Sequence, residues 1–214
     1  MLKNLTNVTV AILGAVATSA ATLPAPSMAT SSVQAPFAIV PEAPTQETET
    51  KEVVPEKPKV KRLVCKGCNT NETKTVEFLQ NRGITDKNAI ATIMGNIRQE
   101  STFTPNVCEG GARVSYSACR SGGFGALQWT DAPRYNGLGK FAARIGGDPS
   151  TLDTQLQYMM YEGDWKMIEP KMKTPGKSIN DYMGLAKKWI RWGHHGARTD
   201  YAYNYAKRLI LTEV

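Results

Sequence analysis

Apolar residues recur at helical spacing throughout the chain beyond residue 73, and this periodicity most constrains the fold. In residues 85–101, Ile90, Ile93 and Ile97 follow one another at steps of three and four, which gathers them on one face of a helix. Similar spacing occurs in residues 73–83, 150–165, 178–192 and 199–210. No segment shows the two-residue alternation typical of strands. The pattern predicts a mainly α single domain over residues 73–214.

Polar residues at the starts of these segments predict where the helices begin. Thr85 is a suitable cap for the second segment, and Ser178 with Asp181 has the spacing of a capping box. Ser150 with Asp153 has the same spacing. The Gly-rich residues 109–127 lack helical spacing and predict a loop or a short hairpin.

The first 72 residues differ in composition from the rest. Residues 1–29 contain Lys3, a short apolar run and then small residues and prolines, which predicts a secretory signal peptide or an uncleaved anchor. Residues 30–72 are rich in Pro, Thr, Glu and Lys, which predicts a disordered linker. The chain is therefore expected to be exported to the periplasm, cell wall or medium, or to be associated with a virion.

Most of the net positive charge lies in the predicted domain. The chain carries +7 in total, and residues 73–214 contain 19 Lys and Arg against 13 Asp and Glu, a difference of +6. A basic surface attracts polyanions such as an anionic cell wall. The basic residues are scattered rather than clustered, so the sequence does not favour a nucleic-acid partner.

The four cysteines form two pairs in the sequence. Cys65 and Cys68 have C-x2-C spacing, whereas Cys108 and Cys119 flank a Gly-rich segment. Zinc binding and free thiols are alternatives, but an exported chain favours disulfides, and no metal site is expected. A Cys108–Cys119 bridge would close the loop, and the other two cysteines either pair together or tie the linker to that loop.

Glu100 interrupts the apolar face of its own helix. It lies three residues after Ile97 and seven after Ile93, so it shares their face and also occupies the last turn. Burial and the negative end of the helix dipole both disfavour the ionised carboxylate. The expected result is a raised pKa, which suits a general acid. The alternative is a carboxylate that escapes to solvent at a frayed helix end.

A second motif, "GGFGALQWTDAPR", combines glycines with polar and aromatic groups. Its glycines permit tight backbone turns, Gln128 can donate and accept hydrogen bonds, and Trp129 offers a flat apolar face for a sugar ring or for the core. A buried carboxyl beside such a loop is compatible with glycoside cleavage.

The two motifs together resemble the phage tail lysozyme family, which has the lysozyme-like fold and cleaves peptidoglycan. "GNIRQESTFTP" and "GFGALQW" match its pattern in order and separation, over roughly residues 74–210. The resemblance implies cleavage between N-acetylmuramic acid and N-acetylglucosamine, with Glu100 as the catalytic acid and no cofactor. It also implies a glycan groove formed by these residues: Gly123, Gly125, Gln128, Trp129 and Arg134. The segment between Cys108 and Cys119 departs from the pattern.

The sequence leaves several points of mechanism and role open. Asp131 and Glu109 are the candidates for a second catalytic carboxylate. If neither serves, Glu100 alone would support lytic transglycosylase chemistry, in which the 6-hydroxyl of the sugar attacks. A non-enzymatic wall-binding virion protein is a further alternative, as is a cysteine peptidase that uses Cys65 and His194. The expected partners are peptidoglycan strands and, in a virion, tail proteins; otherwise a monomer is expected.

Overall fold

The computed structural model describes residues 60–120 and 122–213, all within one compact unit. Its helices and strands, in chain order, are β1 (Lys61–Cys65), α1 (Thr70–Asn81), α2 (Lys87–Ser101), a 3-10 turn (Tyr116–Ala118), α3 (Ala132–Ile145), α4 (Leu152–Tyr161), α5 (Gly163–Lys173), α6 (Ile179–Ile190), α7 (Arg198–Arg208) and β2 (Leu209–Glu213). The predicted mainly α architecture is confirmed. In the described ranges, no helix combines the length and the apolar character needed to cross a membrane.

Ordered structure begins earlier than the predicted domain boundary at residue 73. β1 pairs antiparallel with β2, with Leu63 opposite Leu211 and Cys65 opposite Leu209. The expected linker over 30–72 is therefore wrong for residues 60–72, and the two strands lie in segments that lack a clear two-residue alternation. The predicted signal segment and the linker up to residue 59 lie outside the described residues.

The α1 helix covers the other side of β1. The Gln80 side chain accepts a hydrogen bond from the Leu63 backbone N–H at 2.8 Å and donates one to the Leu63 carbonyl at 2.9 Å. The amide therefore satisfies backbone groups that an additional strand would otherwise bind. These bonds and the β1–β2 pairing join the start of the domain to its end.

The α2 helix is the centre of the domain. Its residues from Ala89 to Ile97 are all buried. Gly95 faces the backbone of α7, because a Cβ built on it would lie only 2.7 Å from the Arg198 carbonyl oxygen and the Ala202 nitrogen. Only glycine permits this close approach. It sets the distance between the two helices that carry Glu100 and Arg198.

The helix caps agree only partly with the sequence predictions. The Ser178–Asp181 capping box of α6 is confirmed. Asp86, rather than Thr85, caps α2, and Thr151, rather than Ser150 with Asp153, caps α4. Each actual cap lies one residue after the predicted cap, at the position where its oxygen can accept a bond from the first helical turn.

Two helices differ from the sequence expectation. The expected helix over 150–165 is divided at Glu162 into α4 and α5. The α3 helix was not predicted, although Asp131 caps it and a proline lies in its first turn. The start of α3 lines the groove described next.

Candidate active site

Glu100 occupies the last turn of α2, at the end of its apolar face. Ile93 and Ile97 are fully buried, whereas the Glu100 side chain is 15% exposed. Burial raises the pKa of the Glu100 carboxyl above its ordinary value of 4.5, although the nearby Arg198 and Arg134 oppose this shift. The predicted position at the buried helix end is confirmed. The carboxyl is therefore largely shielded from bulk water but still partly exposed to it.

Arg198 forms an ion pair with Glu100, and sequence analysis missed it. The guanidinium is almost completely buried and contacts the Glu100 carboxylate directly. It also donates to the His195 carbonyl oxygen at 3.3 Å and lies 4.9 Å from the centre of the Trp192 ring. Burial lowers the pKa of Arg198, against the attraction of Glu100. The residue comes from the first turn of α7, 98 positions away, so local periodicity could not pair it with Glu100.

The Glu100 carboxyl opens into a groove of about 330 Å³. The groove brings together the end of α2, the Gly-rich loop, the start of α3 and the segment between α6 and α7. Its lining comprises Glu100, Leu127, Gln128, Thr130, Asp131, Arg134, Ile190, Arg191, Trp192, Gly193, His194 and Arg198. Three residues predicted for the site, Gln128, Asp131 and Arg134, therefore share one groove with Glu100.

Ser101 joins the end of α2 to the Gly-rich loop. Its hydroxyl donates to the Ala126 carbonyl oxygen at 2.9 Å. In the loop, Phe124 and Trp129 exchange two backbone hydrogen bonds, of 3.3 and 3.0 Å, which make the predicted short hairpin. The Gln128 amide donates to the Gly125 carbonyl oxygen at 2.9 Å, and its backbone is left-handed at φ 48°. The loop is thus fixed beside Glu100.

Gly123 and Gly125 do not line the groove, contrary to their expected role in substrate binding. Both are buried. Gly125 has φ 77°, and a Cβ there would lie 2.6 Å from the Gln155 side chain. The Gln155 amide oxygen also accepts from the Ala126 N–H at 2.8 Å. The close contacts of both glycines with neighbouring side chains therefore shape the loop.

Trp129 is also a correction to the predicted groove. Its ring is fully buried, packs 5.3 Å from Tyr158, and donates from Nε1 to Glu162 at 3.0 Å. The same Glu162 carboxylate binds Arg134 through two hydrogen bonds, of 2.6 and 3.0 Å. The indole therefore holds Glu162, which in turn holds Arg134, and its buried ring has no exposed face for a sugar.

The two candidates for a second carboxylate lie in different places. Asp131 lines the groove and caps α3, accepting from the Arg134 N–H at 2.9 Å. Glu109 is exposed and accepts from the Gly123 N–H at 3.0 Å, outside the groove lining. Of the two, only Asp131 shares a cavity with Glu100.

His194 contributes a further polar group to the groove. Its Nδ1 accepts a hydrogen bond from the Gly196 N–H at 3.1 Å. His195 instead contacts the Thr199 hydroxyl at 2.8 Å, outside this groove. The adjacent histidines therefore have separate environments.

All four cysteines are in disulfides. Cys108 pairs with Cys119, and Cys65 pairs with Cys68, with Cα atoms 5.6 and 5.5 Å apart. The predicted loop-closing bridge is confirmed, and the zinc and free-thiol alternatives for these residues are wrong. A cysteine in a disulfide is not a thiolate nucleophile, which also removes the peptidase alternative that relied on Cys65.

Comparison with known proteins shows the family to which the domain belongs. The sequence profile described as phage tail lysozyme matches residues 70–209, which is more than half of the chain. The chain belongs to the phage tail lysozyme family. It is also similar to morphogenesis protein 1 of Bacillus phage B103, with 33% identity over 102 residues, or 48% of this chain and 26% of the relative. The aligned region thus spans about a quarter of that relative.

Proposed function

We propose that this chain degrades peptidoglycan by cleaving its glycan strand, with Glu100 as the general acid. The observation that carries the proposal is a partly buried carboxyl, with a raised pKa, open to a polar groove. Glu100 would donate its proton to the glycosidic oxygen while positive charge develops on the sugar ring. Membership of a lysozyme family supports the reaction class.

Arg198 would stabilise the Glu100 carboxylate once Glu100 has given up its proton. The ion pair seen here is the arrangement expected for the ionised carboxylate. Burial favours the protonated acid, and Arg198 favours the carboxylate that remains after proton transfer. The two effects oppose one another, so the carboxyl can release a proton and later recover one from water.

We favour hydrolysis, with Asp131 as the second carboxylate. It lies in the same groove as Glu100 and would orient or activate water at the sugar carbon. Lytic transglycosylation is the second candidate, because one Asp131 oxygen is already engaged in capping α3. In that reaction the 6-hydroxyl of the muramic acid attacks in place of water.

The products of digestion test both candidates. Purified peptidoglycan would be incubated with the full chain and the soluble fragments identified by mass spectrometry. Hydrolysis yields reducing muramic acid ends, whereas transglycosylation yields 1,6-anhydro ends that are lighter by one water. Intact glycan after prolonged incubation would contradict the proposed activity and would leave the wall-binding alternative.

The proposed setting is a virion or the cell wall. The relative from Bacillus phage B103 is a morphogenesis protein, which supports a virion role. The excess of positive charge in residues 73–214 supports an anionic wall as the site of action. Association with tail proteins, or export as a free monomer, would both bring the groove to peptidoglycan.

A further inference from the structure

A second cavity adjoins the Glu100 groove. It has a volume of about 530 Å³ and is formed by α3, the end of α4 and the start of α5. It shares Arg134 and Arg191 with the groove, so the two cavities meet at these residues. A molecule bound along the groove could therefore extend directly into the second cavity.

The charges of this cavity do not balance. Arg134 is paired with Glu162, and Arg191 is paired with Asp164 at 2.6 Å. Lys140 and Arg144 also line the cavity, and within the described ranges no carboxylate lies within ion-pair distance of either. Two uncompensated cations favour an anionic ligand.

An exposed aromatic ring with two cations nearby lies at the edge of this cavity. Tyr161 is 46% exposed, and the Arg144 guanidinium lies 4.2 Å from its ring centre. Lys166 approaches the same ring at 4.5 Å, and Phe141 packs 5.3 Å from it. The site thus offers an apolar platform together with positive charge, which suits a ligand that has both small apolar groups and carboxylates.

We propose that this second cavity binds the carboxylate-bearing peptide stem of a muramic acid residue whose glycan strand lies in the Glu100 groove. This rests on the proposed function, since the glycan must occupy the groove. The stem branches from the muramic acid itself, within reach of a cavity that shares walls with the groove. Its alanine methyl groups match the aromatic platform, and its free carboxylates match Lys140 and Arg144. Phosphate-containing wall polymers also carry negative charge, and the experiment below separates them from the peptide stem.

Binding by an inactive full-length protein tests the proposal without relying on turnover. In a Glu100→Gln background, Lys140→Ala/Arg144→Ala would be compared with Lys171→Ala/Lys188→Ala. The control removes two exposed charges from α5 and α6, outside the lining of both cavities. Co-sedimentation would measure affinity for intact sacculi, for sacculi stripped of phosphate polymers by hydrofluoric acid, and for glycan strands freed of peptide by an amidase.

The proposal predicts a loss that depends on the peptide. Lys140→Ala/Arg144→Ala should weaken binding to both kinds of sacculi about tenfold, equivalent to about 1.4 kcal/mol. Its binding to peptide-free strands should change less than about twofold, and the control should change as little on every substrate. The loss on sacculi should also shrink at high salt, because screening weakens exposed charge pairs.

Three results would overturn the inference. An equal loss of binding to peptide-free strands would show that the cavity binds the glycan rather than the peptide stem. A loss that disappears after phosphate polymers are removed would assign it to those polymers, and no loss on any substrate would leave the cavity without this role. Failure of the proposed function gives a different result, because the parent enzyme would then bind sacculi without releasing glycan fragments.

Discussion

Substituting Gly95 with alanine should destabilise the domain by separating α2 from α7. The added Cβ would lie 2.7 Å from both the Arg198 carbonyl oxygen and the Ala202 nitrogen, and 3.0 Å from the Ala202 Cα. Ordinary contacts of these kinds are about 3.3–4.0 Å. All three atoms belong to the α7 backbone, so relief requires a shift of the helix rather than a rotation of a side chain.

The expected magnitude combines two opposing effects. Overpacking a well-packed contact costs about 1–3 kcal/mol. Replacing glycine by alanine within a helix raises the free energy of unfolding by about 0.5–1 kcal/mol, because it lowers the entropy of the unfolded chain. Because the three clashing atoms are all backbone, the overpacking cost should be about 2–3 kcal/mol, so the net free energy of unfolding should fall by about 1–2.5 kcal/mol for Gly95→Ala. For a domain of this size, that lowers Tm by about 2–10 °C.

Gly184→Ala provides a matched control. Gly184 is also within a helix, α6, but it is exposed and a Cβ there would meet nothing within 4 Å. This variant should gain about 0.5–1 kcal/mol of stability. Urea denaturation followed by circular dichroism would measure both changes. The packing argument is refuted if Gly95→Ala matches the parent or if both variants shift in the same direction.

Three other perturbations test the site and its supports. Arg198→Gln should raise the pKa of Glu100 and move the high-pH limit of activity upward, whereas Arg198→Lys should leave it near the parental position; an unchanged limit in both would contradict the ion pair. Opening Cys108–Cys119 by double serine substitution should cost about 3 kcal/mol through loss of loop closure, measured by denaturation. Burial tends to raise the pKa of Glu72, but hydrogen bonds from Tyr205 and the Asn69 N–H, with the charge of Arg208, lower it overall. Its stabilising effect should therefore be present above about pH 4.5 and fade below it. Glu72→Gln should have a lower free energy of unfolding than the parent at neutral pH, and that free energy should change less with pH in acid.

Sequence alone was sufficient where the determining contacts are local. The spacing of Ile90, Ile93 and Ile97 predicted the buried face of α2, and Ser178 with Asp181 correctly predicted the start of α6. In each case the informative residues lie within one or two helical turns of one another. Errors of one residue in the other caps arose because neighbouring polar residues have similar capping ability.

The small sheet could not be predicted in this way. The two strands are five residues each and pair across almost the whole domain. In β1 only Leu63 and Cys65 are buried, which is too short an alternation to stand out. The pairing depends on the packing of the helices between the strands, which no local pattern contains.

The site was predicted only in part for a similar reason. Helical spacing correctly placed Glu100 at the buried end of α2, but its ion-pair partner Arg198 comes from a distant helix. Trp129 was expected in the groove, but its ring is buried in the core. There its indole N–H donates to Glu162, at the junction of α4 and α5. An indole beside glycines suits either a sugar or a core, and only tertiary packing decides between them.

The central claim, that Glu100 supplies the proton for glycan cleavage, is tested most directly by Glu100→Gln. Its matched control is Glu109→Gln, an exposed carboxyl outside the groove. Rates of fragment release from purified peptidoglycan would be compared after both variants are shown to fold by circular dichroism. Glu100→Gln should lose about 10²–10⁴-fold in rate while retaining binding to sacculi, and Glu109→Gln should stay near the parent. A Glu100→Gln protein that releases glycan fragments at the parental rate would contradict the claim.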